Sequence, residues 1–441
     1  MSLEPPEKVR KLQAALHAKA KGSPGYRFYL LYDKLYREDI LDYAYRLCAA
    51  NGGAAGVDGQ GFADIESQGR EAWLGELARE LREKGYRPQA IRRVYIPKPS
   101  GGQRPLGIPT VRDRVVQTAA VLVLSPIFEA DLPPEQYGYR PGRSGLDAVR
   151  EVHTLVNSGH REVVDADLSG YFDSIPHAEL MTSIARRISD RHVLRLIKQW
   201  LKALVEETDD RGRKRRTTRA KDTGRGVPQG APLSPLLSNL YMRRFVLGWT
   251  KLGHARRLGA QIVNYADDFV ICCRGSAEEA MQAMRAMMKR LKLTVNETKT
   301  RRCRLPEESF DFLGYTIGRC WSAQTGRAYL GTRPSRQSLQ RLYREISERT
   351  DRRTLPLDPE QMAARLNRIL VGWANYFCLG PVSNAYRSVD HHAAGRLRQW
   401  LRRKHKLKDR GTTRHPDSYL YEKLGLVRLS ERTRHLPWAT A

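Results

Sequence analysis

The sequence predicts an α+β protein: an antiparallel sheet built from hairpins and flanked by helices over about the first 330 residues, then an α-helical C-terminal part. Two observations carry that reading. Short apolar or alternating runs stand at 94–96 with 104–108, at 161–168 and at 261–274, bounded by Gly, Pro or charged residues. Between them, and after 331, apolar positions recur at helical spacing instead.

Taken in order, residues 1–50 read as a basic helical extension with an aromatic run, Tyr26, Phe28, Tyr29, Tyr32, Tyr36, Tyr43 and Tyr45, most of it expected in the core. Gly52-Gly53 and Gly56-Val57-Asp58-Gly59 end that segment, and a charged amphipathic helix follows at about 69–84. Val94 to Ile96 and Arg104 to Ile108 form a basic hairpin about the turn Ser100-Gly101-Gly102, followed by a helix at about 112–124. Residues 161–168 read as a strand and 177–205 as helix. The polar, mostly basic stretch 209–222 reads as an exposed hairpin. A hairpin spans 261–274, and the helix at about 276–292 carries Met281, Met284, Met287 and Met288 as core. Helices are expected at about 335–350, 359–378 and 388–405. The expected divisions are 1–50, 51–330, 331–405 and a short basic segment 406–441, in line with a prior of roughly 150 residues per domain.

Composition narrows the function. Apolar residues make up 41% and charged residues 28%, which fits a globular chain. No run approaches the ~20 apolar residues of a membrane span, and the N-terminus lacks an apolar signal core, so a cytoplasmic protein without membrane partners is expected. The six cysteines form no CxxC pair or His/Cys cluster, which argues against structural zinc and fits a reducing compartment. Lys and Arg number 77 against 48 Asp and Glu, a net charge of +29. Self-repulsion of that size points to a polyanionic partner, and nucleic acid is the expected one. Residues 331–441 alone carry 23 Lys and Arg against 10 Asp and Glu, net +13.

Two apolar strand contexts hold acids that a plain core strand would exclude: Val163-Val164-Asp165-Ala166-Asp167-Leu168 and Tyr265-Ala266-Asp267-Asp268-Phe269-Val270. Buried carboxylates repel one another and lose hydration, so they persist only with compensating cations. A tight turn at Ala266-Asp267 would bring Asp267 to the groove that Asp167 faces, with Asp268 beside it. Such acids can hold two divalent ions that activate a primer hydroxyl and stabilise an in-line attack on a nucleoside triphosphate. Oxygen ligands suit Mg²⁺.

These residues resemble a family. Tyr265-Ala266-Asp267-Asp268 resembles the YxDD box of reverse transcriptases, and Asp167 to Asp173 their first catalytic acid with an aromatic residue five places on, Phe172. The segment Gly226 to Asn239, GVPQGAPLSPLLSN, is similar to their PQG-x-PLSPLL-x-N block. Arg104 to Pro109, Tyr139 to Ser144 and Phe312 to Tyr315 fill the remaining blocks in order. The resemblance covers about 50–320 and implies a right-hand polymerase with fingers and palm, followed by an α-helical thumb. It implies Asp167, Asp267 and Asp268 as catalytic acids, and as metal ligands these three with the Leu168 carbonyl. Asp165 lies off the family spacing. Two Mg²⁺, with Mn²⁺ able to substitute, are the implied cofactors. Lys98 and Arg104 would neutralise the triphosphate, Phe172 would exclude a 2′-hydroxyl, Gln229 would lie against the incoming nucleotide, and Gly314-Tyr315 would grip the primer.

Beyond the polymerase blocks, Gly372-Trp373-Ala374-Asn375-Tyr376-Phe377 resembles the thumb, or domain X, of group II intron maturases. Leu366, Ile369, Leu370, Trp373 and Phe377 share one face of its helix. The family reading assigns the basic segment 396–410, with Arg402, Arg403, Lys404, Lys406 and Lys408, to intron RNA or target DNA. No cysteine follows Cys378, so no HNH endonuclease activity is expected. The implied partners are intron and template RNA, a DNA primer or target, and dNTPs, with a homodimer also considered. Two rivals are a related enzyme in a host role, such as DNA repair, phage defence or CRISPR association, and a splicing factor with a dead polymerase, against which the intact acids argue.

Overall fold

The structure, a computed structural model, describes residues 3–97, 101–209, 211–322, 325–407 and 413–433. Lys98 and Lys408 lie outside them. Eleven strands occur among the described residues: β1 Ile91–Pro97, β2 Gln103–Ile108, β3 Glu162–Ala166, β4 Val205–Thr208, β5 Lys214–Thr217, β6 Ala260–Tyr265, β7 Asp268–Cys273, β8 Arg301–Arg304, β9 Phe310–Phe312, β10 Tyr315–Trp321 and β11 Ala328–Pro334. They form three sheets, ordered β2-β1-β4-β5, β6-β7-β3-β8 and β11-β10-β9.

The central sheet, β6-β7-β3-β8, is antiparallel throughout, with Val164 opposite Ile271 on one side and Arg302 on the other. It is buried on both faces, which explains why Phe269-Val270-Ile271-Cys272-Cys273 is apolar without a break. Val164, Ala166, Phe269 and Ile271 join a core with the helix Ala277–Arg290, where all four expected methionines are buried. Val163, Val270 and Cys272 point the other way, onto Val149, Val152 and Val156 of the helix Gly145–Asn157. That helix, unseen in the sequence, starts at a capping box in which Ser144 and Asp147 exchange hydrogen bonds.

The first sheet joins the basic hairpin to the insertion. β1 and β2 pair antiparallel with Ile96 opposite Arg104. β4 then runs parallel to β1, and β5 returns along it as the outer strand. The insertion is therefore a hairpin, as its sequence suggested, but it extends a sheet.

Another expectation changes. The helix read at 177–205 is two helices, His177–Ala185 and Arg191–Leu201. Asp190 breaks them: buried, it caps the second through the amides of His192 and Val193 and also accepts from Leu31 and Tyr32. Residues 1–50 pack into the core, as expected for most of their aromatic run. Their helices Glu7–Gly22 and Glu38–Asn51 pack on Val111–Glu129, with Leu16, Ile40 and Tyr45 in one core with Val123 and Phe128.

The helical part starts at Ser335, which caps Arg336–Arg349, because β11 runs on to Pro334, past the boundary expected at 330. With Pro359–Tyr376 and Ser383–Lys404 this helix encloses a separate core of Leu342, Ile346, Leu366, Leu370, Leu397 and Trp400. Leu420, Leu424, Leu426 and Leu429 belong to that core, so the described part of 406–441 completes the helical domain instead of standing apart. No helix among the described residues is long and apolar enough to cross a membrane.

Candidate active site

The acids gather where the central sheet opens. β6 and β7 are joined by the two residues Ala266 and Asp267, with Tyr265 opposite Asp268. Ala266 has φ +59° and is buried. The turn is held from below. Asn264 Nδ2 donates to Ala266 O at 2.8 Å, and the Gly138 backbone lies so close that a Cβ there would stand 2.5 Å from Ala266 N. Buried Asn239 fixes Gly138 in turn, donating to its carbonyl at 2.7 Å. Thus the last residue of the PLSPLLSN block positions the YADD turn, a link the sequence motifs did not reveal.

Alternation on β3 and β7 puts Asp165, Asp167 and Asp268 on the sheet face shared by Val163 and Val270, and Asp267 leads into it from the turn. Asp167 is further fixed by the segment 296–300. Asn296 Nδ2 donates to its carboxylate at 2.8 Å, Asn296 N to its carbonyl at 2.8 Å, and its own amide to Thr300 Oγ1 at 3.2 Å. Lys299 Nζ lies 3.4 Å from the same carboxylate. Leu168 forms an isolated bridge with Val295 through hydrogen bonds of its neighbours, so its own carbonyl faces away from that segment.

Electrostatics register the crowding. Burial raises the pKa of Asp267, the Asp167 charge adds to this, and Arg104 opposes it. Asp268 is pushed up to about 7, by desolvation first and then by Asp267, Asp167 and Asp165, with Lys299 opposing. Desolvation also lifts Asp165 to about 6 despite Arg301 at 3.4 Å. Among the described residues no three acid, His or Cys side chains stand gathered as a ready metal cage. The acids fit a divalent cation through their charge: four carboxylates repel one another and lack a matching set of cations. Oxygen donors of this kind suit a hard ion.

The other expected residues divide. Arg104 faces the acids from β2, close enough to act on both Asp267 and Tyr139. Tyr139, at φ +56° and 53% exposed, opened a family block in the sequence but was given no role there, and it borders the same groove. Phe172 is half-buried, edge-on to Tyr171 with ring centroids 5.7 Å apart, and its carbonyl accepts from Val227 N at 2.7 Å. Gln229 follows Val227 by two residues and accepts from Gly107 N at 2.6 Å. Gly230, at φ +104°, must be Gly, since a Cβ would meet Gly107 O at 2.7 Å.

Gly314 and Tyr315 are held by the helical domain. A Cβ on Gly314, at φ +83°, would meet Ser338 Oγ at 2.9 Å and Phe377 Cζ at 3.2 Å, so the close approach Gly allows is to protein. Tyr315 is fully buried and its hydroxyl donates to Tyr376 O, so only the backbone of this turn is left to meet a primer. In the basic segment, Arg402 and Lys406 are exposed, Arg403 is half-buried and near Asp351, and Lys404 is committed to the Leu355 and Leu357 carbonyls at 3.0 and 2.9 Å.

An acid-lined groove on an antiparallel sheet, faced by a cationic hairpin and closed by a helical domain, is the working surface of a polynucleotide polymerase. The comparisons make that specific. The reverse transcriptase (RNA-dependent DNA polymerase) family matches residues 96–317, and the group II intron, maturase-specific domain matches residues 339–419. The chain is 32% identical over 348 residues to Protein YkfC of Escherichia coli (strain K12), covering 70% of this chain and 88% of that one. It is 35% identical over 225 residues to the group II intron-encoded protein LtrA of Lactococcus lactis subsp. cremoris, covering 50% of this chain and 35% of LtrA. A solved structure described as a partial Cas6-RT-Cas1–Cas2 complex aligns over 59% of this chain and 41% of that one, with TM-score 0.36 and 23% identity. The chain belongs to the reverse transcriptases, RNA-directed DNA polymerases, and carries the maturase-specific domain of group II intron proteins. In that fold the first sheet is the fingers, the central sheet the palm and the helical domain the thumb.

Proposed function

We propose that this chain extends a DNA primer on an RNA template in the acid groove, and that its helical domain and basic surface bind a group II intron RNA and assist its splicing. The observation that carries the polymerase half is the meeting of Asp165, Asp167 and Asp268 on one sheet face with Asp267 at the adjoining turn, near Arg104. Asp167, Asp267 and the Leu168 carbonyl would hold Mg²⁺, with Asp268 beside them. Bound there, two such ions would supply the charge that lowers the pKa of a primer hydroxyl and neutralises the triphosphate.

The chain's own groups do the rest. Arg104 offers charge to the triphosphate, with Lys98 assigned the same role. Asn296 and Thr300 hold Asp167 in one orientation, so the acid is preorganised before substrate arrives. Phe172 stands below the site of the sugar and leaves no room for a 2′-hydroxyl, and Gln229 lies along the nucleotide. The maturase half is a binding function: cationic surface matches folded RNA, which performs its own chemistry. Support for it comes from the maturase-specific domain at 339–419 and the net charge of +13 over 331–441.

The test is primer extension on an RNA template with Mg²⁺ or Mn²⁺. Asp267→Ala and Asp167→Ala should each lose synthesis by about 10²- to 10³-fold or more, the lower range being what one lost preorganised electrostatic contact costs, while RNA binding stays within about twofold. Wild-type synthesis by folded Asp267→Ala protein would falsify the site.

A further inference from the structure

Behind the YADD turn lie three side-chain amides, Gln136, Asn239 and Asn264, each at most 1% exposed. Gln136 reaches them from the segment before Gly138, which is tied to the edge of the central sheet at one point. There Asn264 N donates to Glu135 O at 2.9 Å and Tyr137 N to Asn264 O at 2.8 Å. Between those bonds the Gln136 side chain turns inward, and its Nε2 donates to Asn239 O at 3.2 Å and stands 3.5 Å from Asn264 Oδ1. Asn264 Nδ2 donates in turn to Ala266 O at 2.8 Å and Asp268 O at 3.3 Å, the two carbonyls that flank Asp267. These amides have one orientation each, because reversing either would set oxygen against oxygen. Gln136 therefore touches both supports of the turn, Asn239 and Asn264, and locks them to each other.

We propose that Gln136 is a positioning residue for the polymerase reaction: through Asn264 it sets the height of the Ala266-Asp267 turn, and so the fit of Asp267 and Asp167 to a divalent cation. The proposal rests on the reading of these acids as a metal site. A buried amide costs energy unless its bonds are made, and an apolar side chain would fill the same space without that cost. The turn has two reasons to drift. Ala266 holds a left-handed φ of +59°, a conformation that persists only when its surroundings over-determine it. Asp267 is also repelled by the neighbouring carboxylates. Metal ligands must be held to within about 0.5 Å of their working geometry, so slack in the amides would reach the metal site directly.

The test is Mn²⁺ binding to the full chain, read from the electron-paramagnetic signal of the free ion, with the site defined as the binding that Asp267→Ala abolishes. Gln136→Met keeps the length and packing of the side chain and removes its donor. It should weaken that binding about 10- to 100-fold, the range for losing a group that supports a metal ligand. Hydrogen exchange across 264–268 in the metal-free protein should rise, while that of β3 should not. Gln136→Asn, which keeps an amide one methylene short, should weaken binding less than Gln136→Met and gives a second reading if the Met variant does not fold. Met284→Ala truncates the core on the other side of the sheet. It should lower the unfolding midpoint and leave Mn²⁺ affinity unchanged, which separates positioning from loss of stability. Wild-type Mn²⁺ affinity in folded Gln136→Met protein, or equal weakening by Met284→Ala, overturns the proposal alone. Wild-type protein with no binding that depends on Asp267 overturns the metal reading of the acids and the proposal with it.

Discussion

Asp167 owes its position to residues far from it in sequence. Its carboxylate, carbonyl and amide are each tied to Asn296 or Thr300, and Lys299 adds a charge at 3.4 Å. Phe172 is the neighbouring residue with the sharpest single consequence. Its half-buried ring sits on Tyr171, whose hydroxyl donates to Ser238 O at 2.7 Å, so the ring has a rigid support. Replacing Phe172 with Ala opens space without touching the acids. Single-nucleotide addition should then show the ratio of ribonucleotide to deoxyribonucleotide incorporation rising about 10- to 100-fold, the range a lost pocket contact gives. An unchanged ratio would make Phe172 a core residue only. At this scale the sequence exposed the acids because carboxylates stand out in apolar strands. Asn296 and the roles of Asn239 and Tyr139 escaped because a polar residue in a loop or helix looks the same whether it supports a site or faces solvent.

Secondary-structure elements show where pattern reading succeeds and where it stops. The hairpins at 91–108 and 260–273 and the methionine helix were legible because alternation and helical spacing were strong. The third sheet was not, since Phe310–Phe312 is three residues long and Gly318 and Gly331 dilute its pattern. Residues 177–205 read as one helix because apolar spacing continues across Asp190, whose role depends on the distant amides of Leu31 and Tyr32. That aspartate makes a measurable element-scale claim. Burial tends to raise its pKa, but amides of Leu31, Tyr32, Val193 and His192 outweigh this and hold it below the usual carboxylate value. A depressed folded-state pKa gives stability that is present above the unfolded value, ~3.9, and lost as pH falls through the folded one. Asp190→Asn should therefore lower the unfolding midpoint near neutral pH, by about 1–2 °C for a loss of ~1 kcal/mol in a unit of this size. The gap from wild type should close as pH drops below about 4. A gap that stays constant with acidification would show that the charge plays no part.

At the scale of the whole molecule, two cores meet at one turn. The Gly314 carbonyl accepts from Ser335 N and Ser338 Oγ, both at 2.9 Å, and Tyr376 Oη donates to Leu313 O at 2.9 Å, so palm and thumb share a hydrogen-bonded seam. The acids lie on the palm side of it and much of the basic surface on the other. Neutralising Arg402, Arg403 and Lys406 together, and sparing Lys404 for its structural bonds, should weaken intron RNA binding about tenfold at moderate salt, as counterion release predicts. Extension of a short primer on a generic template should change less than about twofold, because those contacts lie in the palm. If splicing assistance survives the triple neutralisation, the RNA surface is elsewhere. The bond between Asn296 and Asp167 also spans 129 residues of chain, and β3 is sandwiched between strands that both follow it in sequence. Contacts of such long range form slowly. During synthesis the first acid leaves the ribosome well before the residues that orient it, at about 5–20 residues per second several seconds ahead. The catalytic centre is thus among the last parts of the palm to mature, and a nascent or truncated chain ending before 296 holds its acids without the means to aim them.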